Sequence, residues 1–491
     1  MRLPFLRSPA PSGESAAHPR AALSALCVGF FMICLDATIV NVAVPDIRTS
    51  LGASLNAAVW VNSVYALCYA VPLVLAGRLG DRYGPKRVFL TGLVGFTLAS
   101  LACALAPAEG TLIAARAVQG LSAALVAPQT MALILHLFPD GRRGRALGVW
   151  GAVGGAAMAA GSVVGGLLVA WTGWRGIFLV NLPLGVVGWL AARRLLPDWR
   201  PAGGRRLDLW GVVLSGLGLG ALVFGIQSGE AYDWGTVAGP LTIPGILGLG
   251  VLSLAVFLWR QHRSPAGALL PLRLFRHRDF SAGAAGIAAL GLAMGGLFLP
   301  LMLSLQDDLG YGPLEAGVAT VPMLALCSLF ARLAGKRAET TSPRALAATG
   351  FALLIAGVAA LAGLLRPGQD LGVLMLPLLA SGIGIGLASA PLAGIATRNL
   401  DASLTGAAAG VFNTARQLGG AFGSAASGVL LQTGTATSAT RVALAFPVAA
   451  LVAGLGCCAF VRPPDSTPFE PPATAAAPAP PNRRPTARSG S

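Results

Sequence analysis

The sequence predicts an all-α polytopic membrane protein. Of its 491 residues, 55% are hydrophobic and only 11% are charged, which is unlike a soluble chain of this length. Apolar runs of about 20 residues, each able to cross a hydrocarbon core of roughly 30 Å, follow one another almost to the C-terminus. Because lipid offers the backbone no hydrogen-bond partners, these runs are expected to be helices.

About fourteen runs are long enough to span a membrane. They lie near residues 22–44, 57–77, 88–106, 111–133, 146–170, 176–192, 209–227, 237–258, 280–304, 314–333, 344–365, 371–395, 405–427 and 440–460. Two longer connections, 193–208 and 259–279, set the seventh and eighth runs apart from the others. We therefore expect a six-helix bundle at 21–194, a central linker with two extra spans at 195–279, and a second six-helix bundle at 280–460.

The two ends of the chain differ in composition from the spans. Residues 1–20 contain arginines and prolines and are expected to form a flexible lead. No small-residue cleavage site follows the first apolar run, so this run is expected to be a span rather than a signal peptide. The Pro-rich segment 461–491 is expected to be a disordered tail because it has few large apolar residues.

The distribution of basic residues predicts the orientation. If the N-terminus is cytoplasmic, 29 of the 35 Lys and Arg residues lie on the inner side and four on the outer side. The positive-inside rule then places both termini in the cytoplasm. Because the basic residues are concentrated on one side, the net charge of +16 indicates a protein orientated in a lipid bilayer and not one that binds nucleic acid. Two lysines against 33 arginines are typical of a high-GC bacterial genome, which suggests a bacterial plasma membrane.

No pattern indicates an enzyme, a cofactor or a metal site. All seven cysteines fall within predicted spans without the spacing of metal ligands, and they are interpreted as small buried hydrophobic residues. The chain has no nucleotide-binding loop, which argues against ATP-driven pumping. We expect it to function as a monomer.

Asp36 and Arg116 are ionisable residues inside predicted spans, where a charge is costly and usually functional. At the helical rise per residue, Asp36 lies about 12 Å and Arg116 about 8 Å below the outer ends of spans one and four. We therefore expect them to approach each other. Burial disfavours a charged carboxylate and a nearby guanidinium favours it, so the pair is suited to proton coupling. The alternative is a static salt bridge that fixes helix packing.

A third intramembrane charge, Arg416, lies in the thirteenth span. Asn413, Arg416 and Gln417 share one helical face and could line a central cavity, or they could bond to neighbouring helices without contacting substrate. The candidates for the substrate cavity are Asn41, Gln119, Asn413, Arg416 and Gln417.

The stretch GRLGDRYGPKR (77–87) between spans two and three is more specific than a merely basic loop. Its glycines permit a tight turn, and Asp81 could cap a helix N-terminus. The candidate residues of this conformational motif are Gly77, Asp81, Arg82, Gly84, Lys86 and Arg87. A related basic stretch at 331–344 occupies the matching position in the second half, which favours an internal repeat.

Span five is rich in glycine at positions that allow close helix packing. Gly151, Gly155, Gly161 and Gly165 repeat at intervals of four or six residues. They are expected to act in packing or gating, and ordinary close packing of an Ala/Gly helix is an equally good interpretation.

These motifs together resemble the major facilitator superfamily, specifically its fourteen-span drug:proton antiporters. The matching stretches are LDATIVNVAVP (35–45), GRLGDRYGPKR (77–87), RAVQG (116–120), WRGIFLVNLPLG (174–185), LPLRLFRHRDF (270–280), GYGPLEAGVATVP (310–322) and NTARQLGGAFG (413–423). The resemblance covers about residues 21–460. It implies a major facilitator fold of two six-helix bundles plus two inserted spans, with Arg116 involved in proton transfer.

The resemblance also implies export of hydrophobic small molecules, such as drugs or antibiotics, in exchange for protons by alternating access. Two departures qualify it. Gly161-Ser162 stands where such antiporters usually have Gly-Pro, and one buried acid against two buried arginines fits a neutral or anionic compound better than a dicationic dye. The alternatives are a proton-coupled importer of a small metabolite on the same fold, and a membrane sensor or scaffold that does not transport.

Overall fold

The computed structural model describes residues 19–138, 140–199, 208–263, 269–338, 341–366, 368–398, 402–432 and 436–461. The predicted lead and tail lie outside these residues, apart from Pro19, Arg20 and Val461. The helices are α1 (Pro19–Leu51), α2 (Leu55–Ala70), α3 (Leu73–Tyr83), α4 (Pro85–Ala104), α5 (Glu109–Leu137), α6 (Asp140–Thr172), α7 (Gly176–Leu179), α8 (Asn181–Leu195), α9 (Leu209–Ser228), α10 (Ile243–Arg263), α11 (Arg278–Leu303), α12 (Pro313–Arg337), α13 (Pro343–Leu364), α14 (Leu371–Thr397), α15 (Ala402–Gln432) and α16 (Ala436–Ala459).

The described residues confirm twelve or thirteen of the fourteen predicted spans. Twelve helical stretches of the described residues are long and apolar enough to cross a membrane, and α2 with α3, bent by 45° at their junction, make a thirteenth. The predicted thirteenth span is the helix α15, but it is not among these stretches because Asn413, Arg416 and Gln417 lower its hydropathy. An all-helical polytopic membrane protein is confirmed, whereas fourteen spans are not.

Two local predictions are wrong. The eighth span begins at Ile243 and not near residue 237, because β1 (Thr236–Ala238) and β2 (Leu241–Thr242) form a short antiparallel hairpin first. The motif 77–87 is mostly helix α3, and the turn is confined to Gly84, whose φ of 93° suits glycine. Asp81 lies inside helix α3. The next helix, α4, begins after Gly84, and its described N-terminus has no side-chain cap.

The helices pack around two large apolar cores. Leu26, Phe89 and Phe96 belong to a core among α1–α6 and α8, and Met323 and Phe351 belong to a core among α11–α14 and α16. We call α1–α8 the N-terminal bundle, α11–α16 the C-terminal bundle, and α9–α10 the inserted hairpin. The division of the chain into six, two and six spans stays a prediction.

The two bundles are joined at the end where α1 and α11 finish. Arg48 Nη1 lies 3.8 Å from Asp307 Oδ2, and Gln306 Nε2 donates to the Val42 carbonyl at 3.1 Å. Gly166 of α6 packs directly against the α12 backbone, since a Cβ on it would lie 2.5 Å from the Pro313 carbonyl oxygen. Because glycine lets backbones approach without a void, this end of the interface is closed.

In the inserted hairpin, Asp208 connects the beginning of α9 to the end of α10. This carboxylate accepts hydrogen bonds from the Gly211 N–H at 2.9 Å, from Gln261 Nε2 at 2.9 Å, and from Arg260. Partial burial alone would raise the pKa of Asp208, but these hydrogen bonds and the Arg260 charge outweigh it and hold the pKa below its ordinary value. Gln261 Oε1 in turn accepts from the Leu270 N–H at 3.0 Å.

Acid is therefore expected to loosen the hairpin. Ionised Asp208 contributes stability above the unfolded-state pKa of about 3.9, and the contribution is lost as the pH falls through the lower folded-state pKa. Hydrogen exchange at the Gly211 and Leu270 amides should accelerate on acidification to about pH 3 relative to the intrinsic rate. Asp208→Asn should accelerate it at pH 7, while the exposed Asp233→Asn should not. Equal protection in all three proteins would contradict this role.

Candidate functional site

Asp36 and Arg116 form an ion pair inside the N-terminal bundle, as their predicted depths suggested. Arg116 Nη1 on α5 lies 2.5 Å from Asp36 Oδ2 on α1, and both side chains are 0% exposed. A charge-assisted hydrogen bond in such a setting is strong, because little solvent competes with it.

Both oxygens of the Asp36 carboxylate have partners. Oδ1 accepts one hydrogen bond from Gln119 Nε2 and one from Asn181 Nδ2, each at 3.0 Å. Ser100 Oγ also accepts from Gln119 and Asn181, at 3.3 and 3.0 Å, and donates to the Phe178 carbonyl at 2.9 Å. Residues of α4, α5, α7 and α8 therefore fix the position of the carboxylate on α1.

Arg116 is held by contacts of two kinds. Its Nε donates to the Val61 carbonyl at 3.1 Å and its Nη1 to Gln119 Oε1 at 2.7 Å. Its Cζ atom lies 4.1 Å from the centre of the Tyr65 ring, a distance typical of a cation–π contact. Arg116 Nη2 and the Tyr65 hydroxyl are buried without a hydrogen-bond partner in the described part of the chain. These two groups are available to bond when the pair rearranges.

The structure places the predicted cavity residues in different environments. Gln119 is 0% exposed and belongs to the ion-pair network. Asn41 is half-buried, donates to the Ala37 carbonyl and accepts from Asn62 at 2.7 Å. Both therefore bond to other residues of the N-terminal bundle.

Asn413, Arg416 and Gln417 lie together on α15, and all three are half-buried. The Arg416 charge interacts electrostatically with Cys34 on α1 and Tyr69 on α2, so it faces the N-terminal bundle. Among the described residues, Arg416 has no carboxylate within salt-bridge distance. A half-buried cation between the bundles is suited to bind an anionic or polar group of a ligand.

The motif at 77–87 connects several elements at the cytoplasmic side predicted by the charges. Gly80 packs against Gln129, whose side-chain amide occupies the space that a Cβ would take. Lys86 Nζ donates to the Leu196 carbonyl at 2.6 Å and so ties α4 to the end of α8. Gly77 has more space, since a Cβ on it would lie 3.9 Å from Pro128 Cβ, while Arg82 and Arg87 are exposed.

The glycines of span five differ in their surroundings. A Cβ on Gly161 would overlap Thr38, and one on Gly165 would lie 2.8 Å from Ile39 Cγ1, so both bring α6 close to α1. Gly155 faces α12, with Ser328 Oγ 2.6 Å from the Cβ position. Nothing lies within 4 Å of the Cβ position of Gly151.

Sequence reasoning missed Asn181, Ser100 and Tyr65. Asn181 stood within the quoted stretch WRGIFLVNLPLG as its only amide, in a run otherwise made of apolar residues and one arginine. This was a usable signal, because a polar side chain in a span usually has a specific partner. Ser100 and Tyr65 gave no such signal, since serine and tyrosine are common in apolar helices.

The described residues contain no group of three or more His, Cys, Asp or Glu side chains that could hold a metal ion. What the site brings together is a buried carboxylate and a buried guanidinium, which form a charge pair. Two packed helical bundles, one of which encloses a buried charge pair, are the architecture of a secondary transporter.

The chain belongs to the Major Facilitator Superfamily, whose family profile matches residues 26–424. A tetracenomycin C resistance and export protein of Streptomyces glaucescens is 33% identical over 89% of this chain and 79% of that protein. A cephamycin export protein of Amycolatopsis lactamdurans is 37% identical over 86% of this chain and 87% of that protein. The protein is therefore a membrane transporter and not an enzyme.

The fold agrees with this membership. The crystal structure of the POT family transporter PepTSo superposes with a TM-score of 0.64, covering 91% of this chain and 98% of that one. At 14% identity the likeness extends to the fold alone.

Proposed function

We propose that the protein exports hydrophobic small molecules, such as antibiotics, from a bacterial cell in exchange for protons. The observation that carries the proposal is the fully buried Asp36–Arg116 pair, an ionisable carboxylate in a transporter where a fixed charge would be costly. The similarity to two export proteins for antibiotics supports the direction and the class of substrate.

The proposed topology has fourteen spans with both termini in the cytoplasm. The helix α15 would be the additional span, since it is 31 residues long, and its polar residues are then explained by a position between the bundles. The excess of basic residues supports this orientation. The closed end of the interface, with Arg48 and Asp307, then faces outwards.

In the proposed cycle, Asp36 binds and releases a proton as the bundles rock. With the outer end closed, Asp36 is bonded to Arg116. Opening of the outer end would admit water and a proton to Asp36, which frees Arg116 to bond elsewhere. The proton-loaded carrier then closes outside and releases the proton to the cytoplasm. Proton and substrate can drive the cycle because each favours one of the two states.

Inverted membrane vesicles test the direction of transport. Their interior corresponds to the outside of the cell, so an exporter should accumulate a neutral hydrophobic compound such as Nile red when the interior is acidified. A proton-coupled importer would instead lose preloaded compound under the same gradient, and this result would refute export. Vesicles without the transporter serve as the control.

The charge of Arg416 is expected to set substrate preference. Because Arg416 has no carboxylate partner among the described residues, Arg416→Ala should reduce transport of anionic compounds about tenfold or more, the value of one hydrogen bond to a charged group. Neutral compounds should be much less affected, and Arg416→Lys should retain part of the preference. An unchanged substrate range together with poor folding would instead support a packing role.

A further inference from the structure

A cavity of about 290 Å³ lies between the inserted hairpin and the two bundles. Val71 and Val74 line it from the junction of α2 and α3, and Thr414 and Ala415 line it from α15. The junction is bent by 45° next to Pro72, which lacks the N–H that would continue the helical ladder. The cavity lies beside this bend.

The hairpin is fixed at both ends of this cavity. At the outer end, Trp60 Nε1 donates to Ser228 Oγ at 3.1 Å. With its amide oriented to match donors with acceptors, Gln227 donates to Ser63 Oγ at 2.7 Å. At the inner end, Asp208 and Gln261 connect α9, α10 and Leu270. Polar contacts at both ends hold the helices in place, so the cavity does not collapse between them.

Two tryptophans indicate the depth of the cavity in the bilayer. Trp210 and Trp259 are 68% and 57% exposed at the inner ends of α9 and α10, where aromatic side chains mark the membrane interface. Ser215, which lines the cavity, lies five residues from Trp210, or about 8 Å along the helix. The cavity is therefore at the level of the cytoplasmic leaflet, in the orientation proposed above.

The outer side of the cavity is sealed and the membrane side is not. Leu67, Val223 and Ala425 form a buried cluster between α2, α9 and α15 on the outer side. On the membrane side, Leu258 of α10 lines the cavity and is 46% exposed. A ligand from the cytoplasmic leaflet would pass this side chain.

The lining favours an amphiphile over a plain hydrocarbon chain. Its surface is almost entirely apolar, but the Thr414 hydroxyl is buried without a hydrogen-bond partner. An acyl chain would leave this hydroxyl unsatisfied, which is unfavourable, whereas a ligand with an ether, carbonyl or hydroxyl group would satisfy it. Arg273 and Arg276 are exposed on the adjoining segment and suit a neutral or anionic ligand.

One helix separates this cavity from the interface between the bundles. Thr414, Ala415 and Leu418 of α15 face the cavity, while Arg416 of the same helix faces Cys34 and Tyr69. A movement of α15 would therefore open the cavity towards this interface.

We propose that this cavity, built by the inserted hairpin, is a capture site that takes the exported amphiphile from the cytoplasmic leaflet before it reaches Arg416. The proposal rests on the export function and orientation proposed above. It gives the two extra helices a role in substrate binding.

Binding of Nile red, a neutral dye with a carbonyl group, to the full-length protein in nanodiscs of phosphatidylethanolamine and phosphatidylglycerol tests the proposal without transport. Ala415→Phe fills the cavity and should weaken binding at least tenfold. Thr414→Val keeps the shape but removes the hydroxyl, and it should weaken binding about fivefold, the value of one hydrogen bond. Leu217→Phe, on the lipid-facing surface of the same hairpin, is the matched control and should bind normally.

The outcomes separate the possible occupants. Unchanged dye affinity in both Ala415→Phe and Thr414→Val would overturn the proposal. Native mass spectrometry could instead show that Ala415→Phe loses one bound phospholipid while its dye affinity is unchanged. This result would assign the cavity to an acyl chain and would also overturn the proposal. If these variants weaken dye binding but the vesicle experiment shows import, the capture site is retained and the proposed direction of export is refuted.

Discussion

Replacing Asp36 with asparagine is expected to abolish proton-driven export. Asparagine has the shape of aspartate but cannot bind and release a proton, so the gradient would no longer drive accumulation. Arg116 would also lose its countercharge in a site where both side chains are 0% exposed. Removing one partner of such a pair costs about 3–5 kcal/mol. Accumulation of dye in inverted vesicles should fall to the level of vesicles without transporter.

A second variant separates coupling from stability. In Asp36→Asn/Arg116→Gln no unpaired charge is left, so the free energy of unfolding should recover in part while proton coupling stays lost. The matched control is Asp46→Asn, ten residues further along α1, whose carboxylate accepts the Trp174 N–H at 2.7 Å at the outer end. Asp46→Asn retains an acceptor oxygen and should export normally. Proton-driven accumulation by the double variant would show that Asp36 does not carry the proton.

The sequence predicted most of the helices because lipid imposes one rule on every span. Apolar runs of the required length became helices near the predicted positions, and the charge of Asp36 and Arg116 inside such runs identified the central pair. The helix α15 shows the limit of this rule, since its polar residues serve an interface between bundles and lower the hydropathy by which spans are recognised. The hairpin at Thr236–Thr242 and the helix across Gly77 and Gly80 are local features that a count of apolar residues does not reveal.

The site was predicted only in part, for a related reason. Asn181 and Gln119 complete the bonding of Asp36, but the chain separates them from it by 145 and 83 residues, and no local spacing relates the three. The cavity beside the inserted hairpin is still harder to predict from sequence, because its lining residues come from helices that are distant along the chain. Residue types indicate which groups need partners, and the fold decides which partners they have.

Gly166→Val is expected to hold the transporter open at its outer end. Gly166 lies where α6 meets α12, and a Cβ there would be 2.5 Å from the Pro313 carbonyl oxygen and 2.6 Å from Leu314 Cα. Both are backbone atoms, so the contact cannot be relieved by rotating a side chain. Overpacking of this kind costs about 1–3 kcal/mol and would change the ratio of closed to open states about 5- to 150-fold.

Export should slow accordingly, because each cycle requires the outer end to close. A cysteine at Leu303, which is 6% exposed in the closed interface, reports the state when the native cysteines are replaced by serine. In Gly166→Val, a membrane-impermeant maleimide added from outside should label this cysteine faster than in the parent. Gly151→Ala, on the same helix with nothing within 4 Å of the added methyl, should leave labelling and export unchanged. Protection of the cysteine at the parent level, with a normal rate of export, would mean that the contact between α6 and α12 does not govern closure.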